Sequence, residues 1–303
     1  TSSAPHWQLP ASLPPLKLTT AVALPSPLVA VLQRRGVQSE VELTTLLQPD
    51  PAPEAKAHFP DLEIAVERLL QACREGQALA VCGDYDADGM TSTALLVGVL
   101  SRLGAKPQAA IPSRQSEGYG LNASMVERLA EQDIRLLVTV DNGISAREAL
   151  ERAEALGLEV IVTDHHTIPP QRPPLLALLH PALTPPQSPY RGLAGVGLAY
   201  VLAAAVAERL RNPKALRTAL DLFCIGTIAD MAPLTGVNRR WLQEGLPQLH
   251  RSALPGLRAL SELAGLEDRP IDSQGVGFRL APRLNAVGRL SLIHISEPTR
   301  PRI

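Results

Sequence analysis

The sequence is poor in aromatic residues, which make up 3% of its 303 residues. With so few rings, we do not expect extensive stacking of nucleic-acid bases on this chain. Its three cysteines, at positions 73, 82 and 224, have no paired spacing. This pattern excludes a disulfide framework and indicates a reducing compartment. The formal net charge of −1 means that any surface binding a polyanion must be local.

Long hydrophobic runs are also absent. No apolar stretch reaches the roughly 20 residues of a membrane span, and the first residues lack a basic segment followed by an apolar core. We therefore expect a cytoplasmic protein that makes no contact with a membrane. Hydrophobic residues nevertheless make up 45% of the chain, so it can bury a sizeable core. Its length suggests about two domains.

The order of the apolar segments predicts an α/β fold with an open parallel β-sheet flanked by helices. Strand-like runs between about residues 76 and 181 alternate with helical patterns, which is typical of βαβ units. A Pro-rich arm with short helices (1–50) precedes this sheet core, and a helical portion (about 195–289) follows it. We assign residues 51–289 to one domain. Residues 290–303 resemble the translation of a transposase adapter used in sequencing libraries, so we expect a non-native tail.

An acidic turn follows the first predicted strand. The sequence Gly-Asp-Tyr-Asp-Ala-Asp-Gly at 83–89 comes directly after the apolar run 78–82. Asp84, Asp86 and Asp88 alternate in this turn, so their carboxylates can point at one centre. The glycines at both ends permit a tight backbone. We interpret the turn as part of a metal-dependent catalytic site.

Two alternatives to that interpretation are an acidic surface turn and a calcium loop. An EF-hand loop requires a glutamate at its twelfth position and helices on both sides. Counted from Asp84, the twelfth residue is Leu95, and a strand precedes the turn. We expect Thr91 and Ser92 to open the helix that follows and to satisfy its free N–H groups.

Further acids and imidazoles lie at the ends of later apolar segments. Asp141 begins an Asp-Asn-Gly turn, Asp164 is followed by His165 and His166, and Asp230 ends a helical stretch. The carboxyl ends of parallel strands share one edge of a sheet, where ligand sites collect. Carboxylates gathered there repel one another in a low dielectric, and divalent cations relieve that repulsion. Aspartates with one histidine suit Mn²⁺ or Mg²⁺, and two such ions are typical of phosphate-ester hydrolysis.

Each of these segments also has a simpler interpretation. The turn at Asp141 could be an ordinary strand-to-helix connection, since Asp, Asn and Gly are favoured there. One imidazole of the histidine pair could simply pack and form a hydrogen bond. A carboxylate at a helix C-terminus is unfavourable with the helix dipole, so Asp230 indicates function rather than stability. The glycines at 192, 195 and 197 could cradle a phosphate, but helix entry and close packing explain them equally well.

Three arginines are candidates for phosphate binding, because a guanidinium matches phosphate in a bidentate way. Arg114 follows the second predicted strand, and Arg283 and Arg289 lie near the end of the helical portion. A solvated surface position is the alternative for each of them.

Taken together, these motifs resemble the DHH phosphoesterase superfamily. The segments that carry the resemblance are GDYDADGMTS (83–92), DNG (141–143), DHH (164–166), IADMAPL (228–234) and PRLNAVGR (282–289). The last two are most similar to those of the RecJ branch of bacterial exonucleases, and the resemblance covers about residues 50–289. It implies a hydrolase of DNA repair and recombination that degrades single-stranded DNA from its 5′ end.

The resemblance also implies roles for individual residues. Asp141 would bridge two divalent ions, either Mn²⁺ or Mg²⁺. Asp84 and Asp164 would support the ligands as part of the catalytic set, and His166 would lie beside the reacting phosphate. The implied metal ligands are Asp86, Asp88, Asp141, His165 and Asp230.

The arginines complete the implied site. Arg114 and an arginine of the last motif, Arg283 or Arg289, would hold phosphates of single-stranded DNA. The implied protein partners are a single-strand-binding protein or a helicase, and the expected oligomeric state is a monomer.

The sequence departs from the family pattern in two respects. Some members have a histidine ligand at the position of Cys82, whereas a thiolate suits Mn²⁺ or Mg²⁺ poorly. Whether Cys82 ligates a metal therefore stays open. Members also continue into a second lobe and an OB-type domain, whose motifs are absent here, so we expect the metal lobe alone.

Two other functions compete with the exonuclease. One is an oligonucleotide phosphodiesterase or a pyrophosphatase of the same superfamily, and digestion of long against dinucleotide substrates would separate it. The other is a homologue that only binds DNA, but such proteins typically lose carboxylates, and here the acids are retained.

Overall fold

The computed structural model describes residues 11, 13, 24–112, 118–267 and 269–289. The chain divides into two compact units, which meet in sequence between Asp50 and Pro51. The first unit contains helices α1 (Ser26–Arg34) and α2 (Glu40–Leu47). The second unit contains the β-sheet and the helices that cover it.

The sheet of the second unit has five parallel strands among the described residues. Their spatial order is β2-β1-β3-β4-β5, and the central register pairs Val81 with both Ala109 and Val138. This order is one of the two common doubly wound arrangements. The predicted open parallel sheet is confirmed. The strands are β1 (Ala78–Cys82), β2 (Lys106–Ala110), β3 (Leu136–Val140), β4 (Glu159–Thr163) and β5 (Ala177–Leu179).

Helices cover both faces of the sheet and extend beyond it toward the C-terminus. They are α3 (Leu62–Glu75), α4 (Ala87–Arg102), α5 (Ala123–Glu131), α6 (Arg147–Ala155), α7 (Gly195–Arg209), α8 (Ala219–Ala229), α9 (Gly236–Gly245), α10 (Pro255–Leu263), α11 (Ser273–Gly275) and α12 (Ala281–Arg289). A π-helical turn (Val276–Leu280) joins the last two. Short 3₁₀ helices lie at Ala55–Ala57, Pro181–Leu183, Pro213–Leu216 and Leu246–Arg251. In the described part of the chain, no helix combines the length and apolarity needed to cross a bilayer.

Alternation along the strands builds a separate apolar core on each face of the sheet. On β1, Leu79 and Val81 pack into the cluster that contains α3, α4, α7 and α8. Ala80 and Cys82 point to the opposite face, into the cluster of α5 and α6. Because both faces are covered, the central strand β3 is buried along its whole length, as expected for a parallel sheet, whereas the edge strand β2 carries Lys106 and Gln108.

The start of helix α4 differs from the sequence prediction. Asp86 caps the helix, since its Oδ1 accepts from the N–H groups of Asp88 (2.8 Å) and Gly89 (3.0 Å). The expectation that Thr91 and Ser92 open the helix is wrong: their hydroxyls donate to helix carbonyls one turn back. The acidic turn therefore carries the cap itself, and Asp88 belongs to the first turn of the helix.

Candidate metal centre

The acidic cluster lies at the carboxyl edge of the sheet, where the strand order changes direction. The chain passes from β1 to β2 on one side and later returns to β3 on the other side. The loops that leave β1 and β3 diverge at this point and form the crevice in which doubly wound sheets bind ligands. Asp84 follows β1 and Asp141 follows β3. The topology therefore brings these two carboxylates to the two sides of one crevice.

Asp84 is fully buried at the end of β1. Its Oδ1 accepts from the Asp86 N–H at 3.4 Å, whereas its Oδ2 has no hydrogen-bond partner among the described residues. Burial, followed by repulsion from Asp86, raises the pKa of Asp84 to about 6. An ionised carboxylate without a partner for one oxygen is costly in a buried site, and a bound cation would remove that cost.

Asp88 links the first motif to the start of helix α7. Its Oδ2 accepts from the Gly195 N–H and its Oδ1 from the Val196 N–H, both at 2.8 Å. Free N–H groups at a helix start favour an anion. The pKa of Asp88 is nevertheless raised well above its ordinary value, first by burial and then by repulsion from Asp141 and Asp230.

Gly195 lets helix α7 approach the cluster. A Cβ at this position would come within 2.5 Å of the Asp141 Cβ, so a larger residue would push the helix away. The glycine-rich segment suggested a phosphate-cradling loop or close packing. The described contacts show close packing around the carboxylates of Asp88 and Asp141.

Asp141 has a backbone conformation that few residues other than glycine adopt, with φ of 62°. Its side chain is buried, and its Oδ1 lies 2.8 Å from His165 Nε2. Burial, then repulsion from Asp84 and Asp86, raises the pKa of Asp141 well above its ordinary value. Strained backbone of this kind clusters at functional sites.

Asn142, next to Asp141, ties three backbone segments together. Its Nδ2 donates to the carbonyls of Cys82 (3.1 Å) and Val140 (2.9 Å), and its Oδ1 accepts from the Leu121 N–H (2.9 Å). The side chain therefore fixes the ends of β1 and β3 relative to each other. Sequence reasoning assigned no role to Asn142, although its place between Asp141 and a glycine was a signal.

The Asp-His-His turn after β4 places its three side chains differently. Asp164 is buried, and its Oδ1 accepts from His166 Nδ1 at 2.7 Å while its Oδ2 accepts from the Ile144 N–H at 2.9 Å. Burial raises the pKa of Asp164, but the bonds from His166 and Ile144 outweigh it, and the net shift is downward. The hydrogen bond to Asp164 in turn raises the pKa of His166.

His165 turns toward the other acids. Besides its contact with Asp141, its Nε2 lies 4.0 Å from Asp88 Oδ2, and its Nδ1 lies 3.9 Å from Asp230 Oδ2. Asp230 is the C-cap residue of α8. Burial raises the pKa of Asp230 despite the opposing effect of His165.

His180, which follows β5, holds the backbone of the Asp-His-His turn by a hydrogen bond. Its Nε2 donates to the His166 carbonyl at 2.7 Å, and its Nδ1 accepts from the Ala182 N–H at 3.0 Å. The two bonds fix the imidazole as the Nε2–H tautomer. Burial lowers the pKa of His180, which keeps the ring neutral. Apart from the position of His180 at a strand end, no sequence pattern indicates this contact.

Asn285 joins the last motif to the first. Its Oδ1 accepts from the Ala87 N–H at 2.8 Å, at the start of helix α4. Sequence reasoning selected the arginines of this motif instead. Arg283 is exposed and donates to the Arg279 carbonyl of its own helical segment at 2.7 Å. Arg114 and the side chain of Arg289 lie outside the described residues.

Cys82 does not join the acidic cluster. It is fully buried in the apolar cluster of α5 and α6, and burial raises the pKa of its thiol to about 12. A buried thiol of this kind is a poor ligand for a hard cation.

Three groups of side chains in the described part of the chain could each hold a cation. In every group, one ligand atom from each residue lies within 4.8 Å of the others. Asp141 and His165 each belong to two groups, so the three sites adjoin. The groups are Asp84 with Asp86 and Asp141; Asp88 with His165 and Asp230; and Asp141 with His165 and His166.

The comparisons with known proteins all indicate the same family. Residues 78–227 match the model of the DHH family, N-terminal domain. The single-stranded-DNA-specific exonuclease RecJ of Bacillus subtilis is 42% identical over 226 residues, which are 75% of this chain and 28% of that protein. RecJ of Thermus thermophilus is 41% identical over 292 residues, 94% of this chain and 41% of that protein. The chain thus spans less than half the length of these two curated relatives.

A solved structure shares the fold as well as the sequence. The crystal structure of exonuclease RecJ bound to manganese superposes with a TM-score of 0.69 at 43% identity, covering 76% of this chain and 58% of that one. The DHH match at residues 78–227 contains all five strands of the sheet, Asp84, Asp141 and the Asp-His-His turn. The chain therefore belongs to the DHH family.

Proposed function

We propose that this chain hydrolyses phosphodiester bonds of single-stranded DNA from the 5′ end, with two divalent cations, Mn²⁺ or Mg²⁺. The observation that carries the proposal is the convergence of buried carboxylates and one imidazole in adjoining groups at the switch point of the sheet. The relatives named RecJ exonuclease, one of them solved with manganese, support the same activity. The converging residues are Asp84, Asp86, Asp88, Asp141, His165 and Asp230.

The donor set fits hard divalent cations. Carboxylate oxygens dominate it, with imidazole as the nitrogen donor. Burial and mutual repulsion raise the pKa values of Asp84, Asp88, Asp141 and Asp230, so their ionised forms are unfavourable in the folded chain unless a cation neutralises them. The unpartnered Oδ2 of Asp84 is a free ligand atom. Positive charge is what this site lacks.

Two ions would divide the groups between them. Asp84, Asp86 and Asp141 would hold one ion, and Asp88, His165 and Asp230 would hold the other. Asp141 supports the bridging role, because its Oδ1 contacts His165 at 2.8 Å while it also groups with Asp84. When bound, the ions would neutralise phosphate oxygens and activate the attacking water.

His166 has the properties of a proton donor. Its Nδ1 is held by buried Asp164, and its side chain is 47% exposed, so Nε2 remains accessible to a substrate. The hydrogen bond to Asp164 raises the pKa of His166, which favours the protonated ring. We assign it donation of a proton to the leaving oxygen of the phosphodiester.

The proposal also covers the substrate contacts, the protein partners and the cellular compartment. Arg114, Arg283 and Arg289 would hold phosphates of the strand. A single-strand-binding protein or a helicase would deliver the substrate to a monomeric chain. We place the activity in the cytoplasm, where three free, buried cysteines would stay reduced.

Asp141→Asn tests the metal-dependent chemistry, with Asp133→Asn as a matched control. Both residues have positive φ (62° and 59°), which asparagine tolerates, but the Asp133 side chain is 95% exposed and lies outside the cluster. With 3′-labelled oligo(dT) and Mn²⁺, we expect Asp141→Asn to reduce hydrolysis by on the order of 10³-fold. Asp133→Asn should retain wild-type activity.

Substrate comparison separates the exonuclease from its alternatives. The wild type should release mononucleotides from single-stranded oligo(dT) and lose activity in EDTA. Preference for dinucleotides or pyrophosphate over long strands would contradict the proposal, as would retention of more than about a tenth of the activity by Asp141→Asn.

A further inference from the structure

A pocket of about 290 Å³ opens beside the candidate metal centre. His165 and Asp230 of the centre line part of it, and Leu193 and Pro233 contribute apolar wall. Arg191 is the side chain with a fixed positive charge among its described lining residues. The pocket thus joins a cation, apolar surface and two candidate metal ligands, and its volume is near the lower end of sites that hold small ligands.

Arg191 has unused hydrogen-bonding capacity. Its Nη1 donates to the Thr184 carbonyl at 3.0 Å, and the guanidinium forms no ion pair with any described carboxylate. A guanidinium carries five N–H donors in a rigid fork. One bond therefore orients the group and leaves the remaining donors for a ligand.

The backbone that carries Arg191 is fixed to the other rim of the pocket. Buried Asn238 donates from Nδ2 to the carbonyls of Gly192 (2.7 Å) and Pro233 (3.0 Å). The Val237 N–H donates to the Pro189 carbonyl at 3.2 Å. These contacts hold the 189–193 segment against the loop after α8, so the pocket is preformed rather than assembled on binding.

We propose that this pocket binds a phosphodiester group of the DNA strand next to the bond that is cut, with Arg191 as the phosphate ligand. The inference rests on the proposed function and names a contact with its substrate. A planar guanidinium matches two phosphate oxygens at once. Asp230 repels an anion, so the phosphate takes the arginine side of the pocket while the apolar wall meets the sugar. Arg191 thus provides local positive charge on a chain whose net charge is −1.

Three variants test this contact. Arg191→Met removes the charge, Arg191→Lys keeps the charge but not the fork, and Arg74→Met is the matched control. Arg74 is exposed in the last turn of α3, just before β1 begins, and therefore lies at the opposite edge of the sheet. Fluorescence anisotropy would give the affinity for 3′-fluorescein oligo(dT) with Ca²⁺ over a range of NaCl concentrations. Initial rates with Mn²⁺ would give kcat and KM on the same oligonucleotide.

We expect Arg191→Met to weaken binding by roughly 10- to 100-fold, the range for a charge-assisted hydrogen bond. The slope of log affinity against log salt should fall in magnitude by about 0.7, which corresponds to one phosphate of a single strand. Arg191→Lys should keep most of the slope and recover part of the affinity. Arg74→Met should match the wild type, and the Mn²⁺-induced rise in Tm should be the same in all four proteins.

The results separate the possible failures. An unchanged salt slope in Arg191→Met would overturn the phosphate contact, even if the rate fell. Loss of the Mn²⁺-induced Tm rise in that variant would also overturn it, because Arg191 would then act on the metal ligands. A wild type that binds oligo(dT) with the expected slope difference but hydrolyses nothing would contradict the proposed function and support the contact.

Discussion

Asp84→Asn is expected to stabilise the metal-free protein at neutral pH while it weakens the metal centre. Asp84 is fully buried, and its Oδ2 has no partner among the described residues. Burial and then repulsion from Asp86 raise the pKa of Asp84 from 3.8 to about 6. The folded state therefore holds the ionised form only at a cost in free energy. Asparagine keeps an oxygen that can accept from the Asp86 N–H and carries no charge.

The size of the effect follows from linkage. A folded pKa roughly two pH units above the unfolded pKa corresponds to about 3 kcal/mol. For an acid whose pKa is raised on folding, the stabilising contribution is fully present below the unfolded pKa. It is lost as the pH rises through the folded pKa, here between about pH 4 and pH 6. At pH 7 the metal-free Asp84→Asn variant should therefore exceed the wild type by up to about 3 kcal/mol in unfolding free energy.

Urea unfolding in EDTA would measure this difference at pH 4 and at pH 7. The comparison of variant with wild type at each pH isolates Asp84 from the other groups that titrate. Asp133→Asn makes the same chemical change at an exposed position outside the cluster and serves as the matched control. Added Mn²⁺ should reverse the order at pH 7, because a ligand that binds the folded state stabilises the wild type more than the variant.

The reasoning fails if Asp84→Asn is no more stable than the wild type in EDTA at pH 7. It also fails if the stability difference is the same at both pH values, since the charge of Asp84 would then not be its cause. An equal gain from Mn²⁺ in both proteins would remove Asp84 from the metal centre.

Three further predictions concern residues around the cluster. Asn142→Ala should lower the unfolding free energy by about 3 kcal/mol or more, because it removes three hydrogen bonds to backbone groups, and urea unfolding would measure the loss. His180→Leu should reduce kcat for oligo(dT) hydrolysis at temperatures well below the Tm of the variant, since it releases the His166 carbonyl. Equal kcat in variant and wild type would contradict this positioning role. Cys82, with a thiol pKa of about 12, should react slowly with thiol reagents and give no sulfur-to-Cd²⁺ charge-transfer absorption at neutral pH.

The sequence determined the class of fold and the edge of the sheet that carries the site. Short continuous apolar runs alternating with helical segments leave few arrangements other than a parallel sheet covered on both faces. Because Asp84, Asp141 and Asp164 each follow such a run, a shared edge could be inferred without coordinates. Local patterns suffice here, since the position of a residue just after a strand fixes where it lies in the sheet.

The boundaries of the helices were harder to predict from the sequence. The prediction that Thr91 and Ser92 open α4 was wrong because Asp86, five positions before Thr91, supplies the cap. Several residues of the acidic turn could cap the helix, and the choice depends on the path of the backbone after Gly83. The π-helical turn at Val276–Leu280 likewise leaves no clear local pattern.

Tertiary structure alone decided what each polar side chain contacts. The partners of Asp88 lie more than a hundred positions away in the sequence, at Gly195 and Val196. Asn285 accepts a hydrogen bond from Ala87, nearly two hundred positions away in the sequence. Arg191 lines one pocket with His165 and Asp230 because its segment packs against the loop after α8. Burial and pKa shifts have the same origin, because they depend on how closely distant segments pack. The sequence by itself determined which residues could perform the chemistry, whereas the folded chain determined which of them meet.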